Sequence, residues 1–305
     1  MTKVNIYGRD KGSESECSFC WSIRVVLSKS GIDIPSYEIS GYSLNAFAIW
    51  VNSQLPLSLW SEGCCHLFAK SLFKAVGVRS ELLSVPNKHS PLDYLINHWS
   101  GRIEESLARG VPVAAQGLWP NSSYLWGLIT DWDAGKRVLQ GLSPNSKGFR
   151  ENEAWPKKIL IAAGTALTPN LRETMESTLL IASKLGANTY SASAWISGMD
   201  AYLLWLKYIK NNFSKEEKCH RILAKALSKA RLGAACFISH HTVLSSPETE
   251  KMMLALAKRY QRIAQLLKDA YEAPGKQPFV NDIIAAMRQE EKALALLDEI
   301  LFHIQ

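Results

Sequence analysis

Several patterns that would mark a function class directly are missing from this chain. There is no P-loop, GxGxxG, HExxH or GxSxG pattern, which removes the common signatures of phosphate cradles, zinc hydrolases and serine esterases. No apolar run approaches the roughly 18 residues of a membrane span, and the stretch from Met1 to Gly8 has no apolar signal-peptide core. We therefore expect a cytoplasmic protein without a membrane partner, whose six cysteines stay reduced. A long basic run is absent too. The net charge of +7 is spread over both halves, with 17 Lys/Arg against 14 Asp/Glu in residues 1–166 and 18 against 14 beyond. Dispersed charge of this kind suits solvated faces better than a groove tracking phosphates, so no nucleic-acid partner is expected. No tandem repeat is evident.

What remains is a globular composition, 47% hydrophobic and 21% charged over 305 residues, enough for two cores. The first half reads as short helices and strands. A strand is expected over 3–7, a helix from the cysteines to Ser30, a turn over 31–39 leading into a second short helix, and a buried strand over 43–51. A helix from His66 to Val76 stops at Gly77, and a strand follows over 78–85. Arg102 to Arg109 forms a helix ended by Gly110. Strands are expected at 111–117, 125–130, 138–142 and 158–163. This order is α+β, without βαβ alternation. After Gly164 strand signal almost vanishes, and helices are expected at about 170–185, 190–211, 215–240, 247–272 and 278–303. Ser214 to Glu217 reads as a capping box, and Ser246-Pro247 as a cap with proline at the first helical position. We expect an α+β domain over 1–165 and an all-α helical domain over 166–305.

The most informative stretch is Cys17-Ser18-Phe19-Cys20-Trp21-Ser22-Ile23, which opens an amphipathic helix. Ser13 and Ser15 are the expected caps. A cysteine in a first helical turn meets unpaired N–H groups and the positive end of the helix dipole, both of which favour thiolate. N–H groups from Ser18 to Trp21 could also hold an oxyanion formed when that thiolate attacks a carbonyl. A CxxC pair buried for structural reasons is the competing reading.

The order of this helix, Gly31-Ile32-Asp33-Ile34, Ile39-Ser40-Gly41-Tyr42-Ser43 and Ala46-Phe47 resembles papain-like domains of the C39-peptidase type. More narrowly, it is similar to the N-terminal domain of the butirosin-biosynthesis acyltransferase family. The resemblance is diffuse over the chain, and CSFCWSI is its sharpest motif. It implies a papain-like domain followed by a helical appendage, and a cysteine nucleophile served by a histidine and an orienting polar group. The implied chemistry is acyl or amide transfer in natural-product biosynthesis, on a small-molecule or carrier-bound acyl substrate, without a cofactor. The chain departs from the family at three places. Matching Ser22-Ile23-Arg24 to Gly31 puts the nucleophile position on Ser18, flanked by Cys17 and Cys20. The histidine position falls on Leu125. No glutamine lies about six residues before either cysteine, where Lys11 and Glu14 stand. A complete triad would need another histidine, with His66, His89 and His98 as candidates.

Eight of the ten tryptophans lie in the first half. Trp21, Trp119 and Trp126, with Ser18, are the residues expected to hold a flat or acylated ligand beside Cys17 and Cys20. A degenerate relative that only binds such a ligand, or a partner-binding scaffold using the helical half, stays open beside the enzyme. Cys64-Cys65-His66 together with Cys17 and Cys20 contains zinc ligand types without convincing spacing, so no metal is expected. CxxC also suggests dithiol redox chemistry, although the strand order is not thioredoxin-like. Cys219 and Cys236 are expected to be buried, and His240-His241 to cap a helix C-terminus.

Overall fold

The computed structural model describes residues 4, 17–53, 69–85, 92–118, 125–144, 150–152, 155–165, 168–188, 195–242 and 246–304. In chain order its elements are α1 (Ser18–Lys29), α2 (Ser36–Tyr42), β1 (Trp50–Asn52), α3 (Ala69–Ala75), β2 (Val78–Ser84) and α4 (Leu92–Ala108). Then come β3 (Val113–Gln116), β4 (Trp126–Asp133), β5 (Val138–Leu142), β6 (Arg150–Asn152) and β7 (Lys158–Thr165). The last are α5 (Leu171–Gly186), β8 (Trp195–Ser197), α6 (Gly198–His241), α7 (Pro247–Glu272) and α8 (Lys276–Ile304). The architecture is mixed, helices with antiparallel sheets, as the α+β reading expects.

The chain groups into two compact units that are discontinuous in sequence. The first comprises Met1–Ile39 and Leu72–Pro169, the second Ser40–Ser71 and Asn170–Gln305. A linear division into 1–165 and 166–305 leaves out this exchange of the segment after Ile39. Nor is the second half free of strand, because β8 pairs antiparallel with β1 through Trp50 and Ser197, Val51 and Ile196, and Asn52 and Trp195.

Among the described residues of the first unit, six antiparallel strands form a sheet in the order β2-β7-β3-β4-β5-β6. Side-chain alternation along β3 and β4 sorts the residues between two faces. Val113, Ala115 and Ile129 join Trp99, Ile103 and Leu107 of α4 in one core with Trp132, Trp155 and Ile159. Trp126 lies on the opposite face, where Phe19 of α1 meets it edge-on at 5.2 Å between ring centroids. Both faces are therefore covered, which is why all four β3 residues are buried. The indole of Trp132 satisfies its N–H at 2.9 Å on Glu104 Oε1 of α4. Of the strand expected at 3–7, Val4 is described; its N–H donates to the Thr130 carbonyl at 2.9 Å.

In the second unit, the expected strand over 43–51 is mostly a turn. Leu44 adopts φ 60°, and Ala48 N–H donates back to the Leu44 carbonyl. A side chain replaces strand pairing there: Arg231 Nη1 donates to the carbonyls of Ala46 (2.9 Å) and Ala48 (3.1 Å). The same guanidinium is fully buried and meets Glu290 Oε1 at 2.8 Å, while Tyr202 donates to Glu290 Oε2 at 3.2 Å. Burial opposes the Arg231 charge, and Glu290 together with Tyr202 and Tyr260 more than offsets it, holding the guanidinium charged. Tyr202 is pushed up by burial and then by Glu290.

The two helices expected at 190–211 and 215–240 meet at a kink within α6. The expected capping box lies inside it, where Glu216 alone leaves helical geometry (φ −123°, ψ 19°) and kinks the axis. α7 begins as expected: Ser246 Oγ accepts the Thr249 N–H at 3.3 Å, with Pro247 at the first helical position. Cys219 and Cys236 are exposed on α6, not buried. His241 closes α6 packed against Tyr42 and Phe237, with Tyr42 Oη 3.3 Å from its Nε2. Among the described residues, no helix is long and apolar enough to cross a membrane.

Candidate functional site

The site is built on the first turn of α1. Its N-cap is Cys17, not a serine: with φ −67° and ψ 151° it is extended, and its Sγ accepts the N–H of Cys20 at 3.2 Å. Ser13 and Ser15 lie outside the described residues. Cys17 Sγ and Cys20 Sγ are 2.9 Å apart, and neither cysteine is in a disulfide. Cys17 is half-buried, whereas Cys20 is 3% exposed. A sulfur at this cap faces the positive end of a twelve-residue helix and receives a backbone N–H, so the environment favours Cys17 as thiolate.

Further along the turn, the N–H groups expected to form an anion hole are partly committed. Cys20 N–H serves the Cys17 sulfur, and Trp21 N–H donates to the Cys17 carbonyl at 3.0 Å. Ser18 and Phe19 carry the first-turn N–H groups that have no carbonyl four residues back within the helix. Ser18 itself faces the sheet. Its Oγ accepts the Trp126 N–H at 3.1 Å, and its carbonyl accepts the Ser22 hydroxyl at 2.8 Å. A buried serine is explained by these two bonds, which tie the helix start to the start of β4.

The described aromatic residues of the expected site are buried. Trp126 is 0% and Trp21 1% exposed. Trp126 fills the layer between α1 and the sheet, edge-on to Phe19, so two of the rings expected to hold a ligand are buried. Trp119 lies outside the described residues. Leu125, at the expected histidine position, precedes the residue bonded to Ser18, but its side chain packs with the opposite core, under α4. Strand alternation explains this: one residue along β4 reverses the face, and Trp126 takes the side facing α1.

The histidine candidates divide similarly. His66 and His89 lie outside the described residues. His98 is on α4, stacked on Tyr94 at 4.0 Å, with Nδ1 2.8 Å from the Tyr94 carbonyl. His220, in the second unit, accepts the Trp205 indole N–H on Nδ1 at 3.1 Å and stacks on Phe213. Burial lowers His220 to about 4; burial and then His240 lower His241 to about 4. Cys64, Cys65 and His66 are outside the described residues. Among those described, no group of three or more His, Cys, Asp or Glu is arranged to hold a metal.

Sequence reasoning found the cysteine helix but missed three structural roles: Cys17 as N-cap, Ser18 as acceptor for β4, and Arg231 as anchor of the 44–48 turn. A serine flanked by apolar residues at a helix start could have signalled the second. The third had no local signal. Compared with family models and with curated proteins, the chain matches none.

Proposed function

We propose that the first unit is a papain-like domain whose Cys17 is the nucleophile of an acyl transfer, with a small-molecule or carrier-bound acyl thioester as donor. The observation that carries this reading is the Cys20 N–H donated to Cys17 Sγ at the N-terminus of α1. Cys20 is the second residue of the site: its N–H donates to the Cys17 sulfur, and its own Sγ lies 2.9 Å from that atom.

The donor class follows from proton bookkeeping. Amide and alkoxide leaving groups must be protonated as they depart, which is the task of the histidine in a triad. The position where the resemblance places that histidine holds Leu125. A thioester expels a thiolate, which leaves without an acid, so thiolate attack followed by thiol departure needs no imidazole. In this reaction Cys17 Sγ bonds to the acyl carbon, the carbon–sulfur bond of the donor breaks, and the released thiolate takes its proton from solvent. The N–H groups of Ser18 and Phe19 are the remaining donors for the intermediate's oxygen.

The competing reading is a degenerate relative without turnover, favoured by Leu125 and by the burial of Trp126. Intact-mass analysis after incubation with a short-chain acyl thioester separates the two. An acyl adduct on Cys17, absent in Cys17→Ser and transferred to an added amine or thiol, supports the transferase. No adduct at any pH from 6 to 9, with the fold intact, supports the degenerate protein.

A further inference from the structure

We infer that Cys17 and Cys20 form a reversible dithiol–disulfide couple, with Cys17 as the exchange-reactive sulfur and Cys20 as the resolving one. The thiols are already 2.9 Å apart, while a disulfide spans about 2.05 Å. Closing the bond therefore needs a sulfur movement of about 1 Å, within the reach of side-chain rotation.

The two cysteines are not equivalent. Cys17 is half-buried at the cap and receives the Cys20 N–H, the environment that favours thiolate. Cys20 is buried within the first turn, where an external reagent does not reach it, but Cys17 Sγ does. This division is what ordered exchange requires: one accessible attacker and one shielded neighbour.

The reaction partner is a low-molecular-weight disulfide. The Cys17 thiolate attacks one of its sulfurs, the reagent's S–S bond breaks, and one thiolate leaves and is protonated, giving a mixed disulfide on Cys17. Cys20 then loses its proton and attacks Cys17 Sγ. That breaks the mixed disulfide and releases the second small thiol. The protein loses two hydrogens, and one small disulfide becomes two thiols. A dithiol reductant reverses both steps. This couple stands without the acyl-transfer reading. Where that reading also holds, the disulfide removes the nucleophile, so oxidation switches the transfer off.

The test uses the folded full chain with excess glutathione disulfide, followed by intact-mass analysis and peptide mapping. The expected product holds the bond inside the tryptic peptide 12–24, which is two hydrogen atoms lighter than its reduced form whatever glutathione Cys219 and Cys236 carry, and is restored by dithiothreitol. Cys20→Ala should stop at a persistent glutathione adduct on Cys17. Cys17→Ser should leave Cys20 unmodified until denaturant is added. A parent protein that keeps a glutathione adduct on Cys17, or leaves both thiols intact while Cys219 and Cys236 react, overturns the proposal. The parent experiment needs no substitution, so misfolding of a variant does not mask the outcome. Acyl-thioester labelling is run on the reduced protein. Disulfide without acylation defeats only the transferase, and acylation without disulfide defeats only the couple.

Discussion

The hydroxyl of Ser18 accepts the backbone N–H of Trp126 at 3.1 Å, with both residues buried. That bond fixes where the cysteine-bearing turn sits on the sheet. Removing the acceptor leaves a buried N–H without a partner, a loss of about 1–3 kcal/mol. Ser18→Ala should lower stability by that amount in urea denaturation while leaving Cys17 reactive. Ser18→Thr keeps the acceptor and should lose less if its methyl group is accommodated. An unchanged midpoint for Ser18→Ala would show that the bond does not hold the turn.

Gly198 is a backbone requirement in the second unit. It has φ 62°, and a Cβ there would lie 2.1 Å from the Gly186 carbonyl oxygen, a main-chain atom that cannot rotate away. Gly198→Ala should therefore cost several kcal/mol, on the order of 2–4. Gly31→Ala, also at positive φ but with nothing within 4 Å, should cost about 1 kcal/mol. Thermal unfolding of the two variants side by side checks the ranking.

Arg231 and Glu290 predict an asymmetry between single and double replacement. Glu290→Gln leaves a buried guanidinium without its counter-charge and should cost about 3–5 kcal/mol. Arg231→Met should cost at least as much, because the Ala46 and Ala48 carbonyls lose their donor too. The double variant Arg231→Met/Glu290→Met should lose less than the sum of the singles. A double-mutant cycle in denaturant measures the coupling. Strict additivity would refute the buried pair as one unit.

Acid should weaken the second unit through His220 and His241. Both are lowered by burial to about 4, against an ordinary value of 6.5, so the unfolded chain binds more protons between those limits. Their contribution is fully present above pH 6.5 and is lost as pH falls toward 4, by up to about 1.4 kcal/mol per pH unit for each histidine. His220 accepts the Trp205 N–H on Nδ1, so its neutral ring carries the proton on Nε2, which has no partner among the described residues. His220→Phe should flatten the fall in melting temperature between pH 6.5 and 4. An equally steep fall would exclude His220 as a source.

What the sequence determined by itself was largely local. Ser246-Pro247 and the apolar stripe behind it set α7 almost to the residue, because caps and periodicity act within a turn or two. Gly77 and Gly110 end α3 and α4 with φ of 70° and 76°, and the strand over 138–142 appears with those bounds. The cysteine helix was legible for the same reason. Tertiary structure decided the rest. Which face of β4 meets α1 depends on strand register, and one residue separates Leu125 under α4 from Trp126 against Phe19. The segment over 43–49 is apolar enough for a strand, yet Arg231, 185 residues beyond Ala46, takes its carbonyls. Aromatic spacing suggested a lined cleft at Trp21 and Trp126, but burial is a property of what packs on a ring, not of the ring. Long-range partners of this kind leave no mark in a local window, because the physics that selects them is shared surface and not adjacency in the chain.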